Sequence, residues 1–130
     1  MTAFDPFPII YVADVERSMT FYRGAFGFEP GFRWPTDGRA EFVYLKLPPS
    51  GIGLASYAAG RRGHGLPAEP GATQFELCLY VDDMDDVCAR LEALGSRQLR
   101  LPVDESWGER RAYYEDPDGR PLHIAMRLAQ

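Results

Sequence analysis

Residues 107–126 read WGERRAYYEDPDGRPLHIAM, and the fold is decided by how this stretch turns back on itself. Its middle, Asp116-Pro117-Asp118-Gly119, is a turn with a physical cause. Pro117 presets φ at the second turn position, and Gly119 accepts a positive φ without a clash. The flanks alternate as strands do, Ala112-Tyr113-Tyr114 before the turn and Leu122-His123-Ile124-Ala125-Met126 after it. Leu122, Ile124 and Met126 share one face, His123 and Ala125 the other. The spacing predicts a hairpin that covers a core with one face and offers a histidine on the opposite one.

Upstream, Phe7 to Val12 reads as a first strand, with Pro8 acceptable only near its beginning or on an edge. Asp14 is the expected N-cap of a helix whose apolar stripe is Val15, Met19, Tyr22 and Phe26, and Gly27 is its left-handed stop. Strands are predicted over Phe28–Trp34, Glu41–Leu47 and Ile52–Tyr57, parted by turns at Thr36-Asp37-Gly38 and Pro48-Pro49-Ser50-Gly51. Residues 58–72, AAGRRGHGLPAEPGA, carry no periodicity and read as a linker or a lid, from which His64 and Arg61-Arg62 can reach a ligand.

After this loop the pattern restarts. Phe75–Val81 is a strand, and Asp83 caps a helix with apolar face Met84, Val87, Cys88, Leu91 and Leu94, stopped by Gly95. Leu99 and Leu101 suggest a short strand ended by Pro102, and the hairpin follows. A shift of 69 places Tyr11-Val12-Ala13-Asp14 on Tyr80-Val81-Asp82-Asp83; a shift of 68 places Gly51-Ile52-Gly53-Leu54-Ala55 on Gly119-Arg120-Pro121-Leu122-His123. Such a repeat fixes the architecture. The expectation is an α+β chain of one domain, 1–130. Half-repeats 5–58 and 73–128, each βαβββ, are joined by a 59–72 loop.

One hundred and thirty residues suffice for one core without staples. A net charge of −5 argues against a nucleic-acid or anionic-membrane surface, since both need a basic patch. Cys78 and Cys88 sit among apolar neighbours and read as buried, reduced thiols. With no signal peptide and no apolar run of about 18 residues, the chain is expected to be cytoplasmic.

Three segments together resemble the vicinal oxygen chelate superfamily, which includes glyoxalase I, extradiol dioxygenases and the fosfomycin- and bleomycin-resistance proteins. They are Val12-Ala13-Asp14 with Ser18 and Phe21-Tyr22, then Trp107-Gly108-Glu109-Arg110, and then Asp116-Pro117-Asp118-Gly119 before Leu122-His123-Ile124. The resemblance covers nearly the whole chain. It implies paired βαβββ modules forming a cupped mixed sheet with helices on the outer face, usually in a homodimer. It also implies one divalent metal on four inward-facing positions, which here are Phe7, Ala55, Glu76 and His123. Glu76 and His123 carry donor atoms; Phe7 and Ala55 do not. Two ligands fall short of the three a catalytic zinc or non-haem iron normally has. No cofactor is therefore expected. A divalent metal on Glu76 and His123, completed by His64 or another neighbour, is the alternative.

Strand parity adds its own reading. Glu76 shares a face with Cys78 and Tyr80, His123 with Ala125, and Phe7 with Ile9 and Tyr11. With Ala55 and Tyr57 these make a largely aromatic surface holding one carboxylate and one imidazole, the usual make-up of a small-molecule pocket. The same two residues equally suit a buried pair that offsets its own desolvation. Trp107 and Arg110 resemble the Trp-Gly-x-Arg segment of the bleomycin-resistance branch. There the indole can stack on a planar ligand and the guanidinium hold an anion; alternatively Trp107 packs at an interface and Arg110 pairs with an acid such as Asp116. Trp34 is a further rim candidate. The first expectation is a non-enzymatic homodimer that sequesters a hydrophobic or aromatic small molecule. The second is a metal-dependent lyase, isomerase, dioxygenase or transferase. The third is a metal-free enzyme with Glu76 and His123 as an acid–base pair.

Overall fold

The computed structural model describes residues 6–64, 68–71 and 76–129. Within them the chain runs β1 (Ile9–Val12), α1 (Val15–Phe26), β2 (Glu29–Trp34), β3 (Phe42–Leu47), β4 (Ser50–Ser56) and α2 (Tyr57–His64). It continues with β5 (Leu77–Tyr80), α3 (Met84–Ala93), β6 (Gln98–Glu105), β7 (Glu109–Glu115) and β8 (Pro121–Arg127). The fold is α+β, and it divides into two compact units, residues 1–72 and 73–130. The part of the repeat that includes Phe75 falls outside the described residues, as does the 65–67 stretch of the loop.

Two aspartates begin the two main helices in the same way. Asp14 and Asp83 have extended backbones, and their carboxylates accept from the amides of Arg17 and Asp86, each at 3.1 Å. Each bond satisfies one of the amides that a helix start leaves unpaired. The Asp14 carboxyl is held below its usual range chiefly by that amide hydrogen bond. Gly27, at φ 80°, closes α1 in the left-handed conformation that its lack of a Cβ permits.

In the first unit the sheet order is β1-β4-β3-β2, with β1 parallel to β4 and the other pairs antiparallel. α1 packs across β3 and β4. Val15, Phe21, Tyr22 and Ala25 are buried there, as are Ile10, Val12, Val43, Leu45, Ile52 and Leu54 of the sheet. The second unit repeats the plan: order β5-β8-β7-β6, β5 parallel to β8, and α3 against β8. Met84, Val87, Cys88 and Leu91 are buried, with Ala112, Tyr114, Leu122 and Ile124. Burying each large apolar side chain contributes roughly 1.5–3 kcal/mol.

The hairpin forms as its sequence predicts. Gly119, at φ 82°, donates its N–H to Asp116 O at 2.9 Å. The buried Asp116 carboxylate accepts from the amides of Asp118 and Arg120, each at 2.9 Å, and pairs with the Arg120 guanidinium. The turn is thus fixed by its own first side chain.

Five readings are corrected. Residues 57–64 form α2: Ser56 Oγ accepts from Ala59 N at 3.0 Å, a capping hydroxyl hidden among glycines. β6 passes through Pro102 to Glu105, because it is an edge strand whose pairing is irregular there and needs no donor from proline. Cys78 is exposed, while Cys88 is buried; both are free thiols. Leu94 caps α3 and is 40% exposed instead of joining the core. The last correction concerns the repeat itself. Tyr11 pairs with Ala55 and Tyr44 with Gly53; their counterparts 69 residues on, Tyr80 and Tyr113, pair with Ala125 and His123. The last strands are therefore offset by 70, not 68, and Gly53, not Ala55, is the counterpart of His123. No helix among the described residues is long and apolar enough to cross a membrane.

Candidate functional site

Each sheet buries one face under its helix and leaves the other open, and the two open faces differ in chemistry. On the first, the open face of the central strand β4 carries only Gly51, Gly53 and Ala55. The neighbouring rings lean over this floor. A Cβ on Gly53 would come within 3.0 Å of the Phe42 ring and 3.1 Å of Ile9; one on Gly51 would strike the Tyr44 ring. Arg33 turns toward α1, 3.4 Å from Glu16, while Phe32 and Trp34 stand exposed.

A hollow of about 560 Å³ opens on this face beside Ala55. Among the described residues it is lined by Phe32, Trp34, Phe42, Ala55 and Ala59, with Glu41 and Arg62 as its charged groups. Arg62 Nη2 donates to Glu41 Oε1 at 2.8 Å. A second hollow of about 550 Å³ continues past Phe32 and Phe42, between Pro6, Phe7, Tyr44, Pro49 and Ser50. Volumes in this range suit small organic ligands, and so do apolar walls with a few polar groups.

On the second open face the counterparts are polar. His123 Nδ1 lies 3.2 Å from Glu76 Oε1, and the Tyr113 hydroxyl donates to the same oxygen at 3.1 Å. Tyr113 stacks on His123, ring centroids 4.9 Å apart. Because a carboxylate oxygen only accepts, Nδ1 carries the hydrogen, which leaves Nε2 of a neutral imidazole as an acceptor. That Nε2 is buried with no partner among the described residues. Burial, and then the bond to Glu76, push the Tyr113 hydroxyl above its usual range. Tyr80 donates to Glu109 Oε2 at 2.8 Å, which raises the phenol and lowers the Glu109 carboxyl. Burial, followed by the Glu109 and Glu76 charges, pushes the Cys78 thiol up, so it is a poor nucleophile at neutral pH.

The site residues expected from sequence fall as follows. Trp34 lines the larger hollow and Phe7 the second one, where its ring meets Tyr44 edge-on at 4.9 Å. Tyr11 lies against Gly60 and Tyr57 opens α2; neither is among the residues lining the two hollows. Glu76 and His123 are together. Tyr80 has the Arg127 guanidinium 4.3 Å above its ring. Trp107 is exposed, donates to Glu109 at 3.1 Å and lies beneath Arg111. Arg110 shares strand parity with buried Ala112 and Tyr114, away from the open face, and binds Asp104 at 2.6 Å and 3.3 Å; Asp116 is held by Arg120. His64 ends α2, and its side chain lies outside the described residues.

Arg62, read from sequence as able to reach a ligand, does line the first hollow, whereas sequence reading missed Phe32, Phe42 and Glu41 on the first face and Tyr113 and Arg111 on the second. Parity within β3 and β7 was the available signal, since Phe42 and Tyr113 alternate with buried neighbours.

The metal implied by the resemblance does not fit these donors. Glu76 and His123 are engaged with each other, Phe7 packs on Tyr44, and Gly53 and Ala55 offer no side-chain donor. No cluster of three or more His, Cys, Asp or Glu able to hold a metal occurs among the described residues.

Comparison with solved structures places the fold. A glyoxalase/bleomycin resistance protein/dioxygenase family enzyme from Burkholderia phytofirmans PsJN is 23% identical, with a TM-score of 0.84 over 97% of this chain and 100% of that one. A superfamily member from Sphaerobacter thermophilus is 26% identical (TM-score 0.71, 96% and 98% covered). Lactoylglutathione lyase from Agrobacterium tumefaciens is 23% identical (TM-score 0.71, 97% and 94% covered). No curated protein matches the sequence. The paired βαβββ units, the Asp-Pro-Asp-Gly hairpin and a family profile matching residues 4–124 converge: the chain belongs to the Glyoxalase/Bleomycin resistance protein/Dioxygenase superfamily.

Proposed function

We propose that this chain is a non-enzymatic binding protein that sequesters a planar, hydrophobic or aromatic small molecule, acting as a cytoplasmic homodimer without a resident metal. The observation that carries the reading is the hollow of about 560 Å³ walled by Phe32, Trp34 and Phe42 over Ala55 and Ala59. Exposed aromatic rings grouped in this way mark ligand or partner sites. The incomplete donor set supports metal independence. Titration with the neutral fluorescent probe N-phenyl-1-naphthylamine should give saturable binding with quenching of tryptophan emission. Unsaturable, non-quenching uptake would contradict the reading. Protein purified without chelator should hold far less than one metal per chain, and stoichiometric zinc, nickel, manganese or iron lost in His123→Ala would overturn that part. Light scattering should report a dimer at micromolar concentration.

One observation favours a second reading, a metal-free acid–base enzyme: the Glu76 carboxylate orients His123 so that Nε2 is a bare acceptor. Diethylpyrocarbonate separates the two, since a working base must be reachable. In a His64→Gln background, failure of His123 to react in the native protein would eliminate the enzyme reading.

A further inference from the structure

Two hollows share one wall. Phe32 and Phe42, ring centroids 6.1 Å apart and tilted by 51°, border both. Together the hollows form a groove along one face of a single sheet, with unlike ends. At one end Arg62 and Glu41 present a donor beside an acceptor. The other end, at Phe7, Tyr44 and Pro49, is aromatic and apolar, with no charged lining residue among the described residues. The Arg62 side chain is 72% exposed and Glu41 33%, so water screens their attraction and little is lost when the pair opens to admit a ligand edge. Being of opposite sign, the two charges disfavour a ligand with net charge of either sign. They complement a neutral group that accepts from the guanidinium and donates to the carboxylate, as the C=O and N–H of a lactam do.

Resting on the binding reading above, we propose that the ligand is a neutral molecule of two linked planar ring systems. Its lactam edge meets Arg62 and Glu41, and its apolar tail passes Phe32 and Phe42 to lie against Phe7 and Tyr44. A single ring fills only one hollow. A long apolar molecule without the lactam leaves the charged pair facing a surface that cannot answer it, and sites built to hydrogen-bond discriminate strongly against such analogues.

Three probes test this by calorimetry on the full chain: 2-quinolone, which has the head alone; 6-phenylquinoline, which has the length alone; and 6-phenyl-2-quinolone, which has both. The last should bind at least about tenfold more tightly than either of the others. Arg62→Gln and Glu41→Gln, both at the surface, should erase the preference for 6-phenyl-2-quinolone over 6-phenylquinoline while leaving 6-phenylquinoline unchanged. Phe7→Ala should erase the advantage of the second ring. Equal affinity of the wild type for the two long probes, or equal weakening of every probe by the charge variants, overturns this proposal and leaves the binding reading standing. If no probe binds, both fall. If Trp34→Ala then also converts a dimer to monomer, the face is occupied by a second copy of the chain.

Discussion

At the same place in two sheets of the same order, Phe7 meets Tyr44 edge-on in one, while Tyr113 donates a hydrogen bond to Glu76 in the other. Next to these, Gly53 leaves room for Phe42 to lie flat, whereas His123 stacks on Tyr113 and bonds Glu76. Backbone register is shared; chemistry is not. Helix caps and core faces are set by residues that both halves need in order to fold, so Asp14 and Asp83 match. The open faces are free of that requirement. One has become an aromatic groove whose rings pack on Gly51 and Gly53, the other a network of phenols, carboxylates, guanidiniums and one imidazole. Duplication supplies the scaffold twice, and the site depends on what each open face carries.

The largest effect should come from the hairpins that close the two units. Asp116 is buried and paired with Arg120, so Asp116→Ala, which removes that ion pair and the carboxylate that fixes the turn, should cost roughly 3–5 kcal/mol in urea unfolding. Ser50→Ala, at the exposed start of β4 in the first unit's hairpin, should stay within about 0.5 kcal/mol. Equal losses would mean that the two hairpins are not distinguished in the way described. Exchanging chemistry between the faces comes next. Gly53→His imports the residue of the second unit onto a floor where a Cβ alone already comes within 3.0 Å of the Phe42 ring, so the larger imidazole should destabilise by roughly 1–3 kcal/mol and abolish probe binding as Phe42 is displaced.

Smaller effects belong to the polar face. A double-mutant cycle on Glu76→Gln and His123→Asn should return a coupling of about 0.5–1.5 kcal/mol, as expected for one partly exposed hydrogen-bonded pair. A coupling near zero would dissolve the network. The smallest signature is spectroscopic. Tyr80 is held protonated by its bond to Glu109, so its folded pKa lies above the unfolded value near 10. That contribution is fully present below about pH 10 and is lost as pH rises through the folded value. Ultraviolet titration should show Tyr80 ionising late, and Glu109→Gln should bring it earlier. For Glu109 the sign is opposite: its lowered pKa gives a contribution present above the usual carboxylate range and lost on acidification.

Much of the fold was legible because its signals are local. Asp14, Gly27, Asp83 and Gly119 act on amides or dihedrals within a few residues, and the alternation of Leu122 and Ile124 with His123 reports burial directly. α2 was hidden because eight residues containing Gly60 and Gly63 give little periodicity, and its cap, Ser56, closes the preceding strand. The site was less legible. Parity assigns a residue to a face, but pairing register decides what it meets, and the two-residue slip between offsets of 68 and 70 moved the counterpart of His123 from Ala55 to Gly53. Arg110 was chosen for its motif, while Arg111 has the parity of the open face and lies over both Trp107 and Tyr113. The groove was missed for a plainer reason: the rings that border it, Phe32 and Phe42, come from different strands, and only pairing brings them together.

The central claim is that the first sheet, not the second, carries the ligand, and affinity for N-phenyl-1-naphthylamine across paired variants tests it most directly. Trp34→Ala and Phe42→Ala should each weaken binding at least about tenfold, while Glu76→Gln and His123→Ala change it less than about twofold. The reverse ranking, with the polar-face variants losing affinity and the groove variants keeping it, would contradict the account.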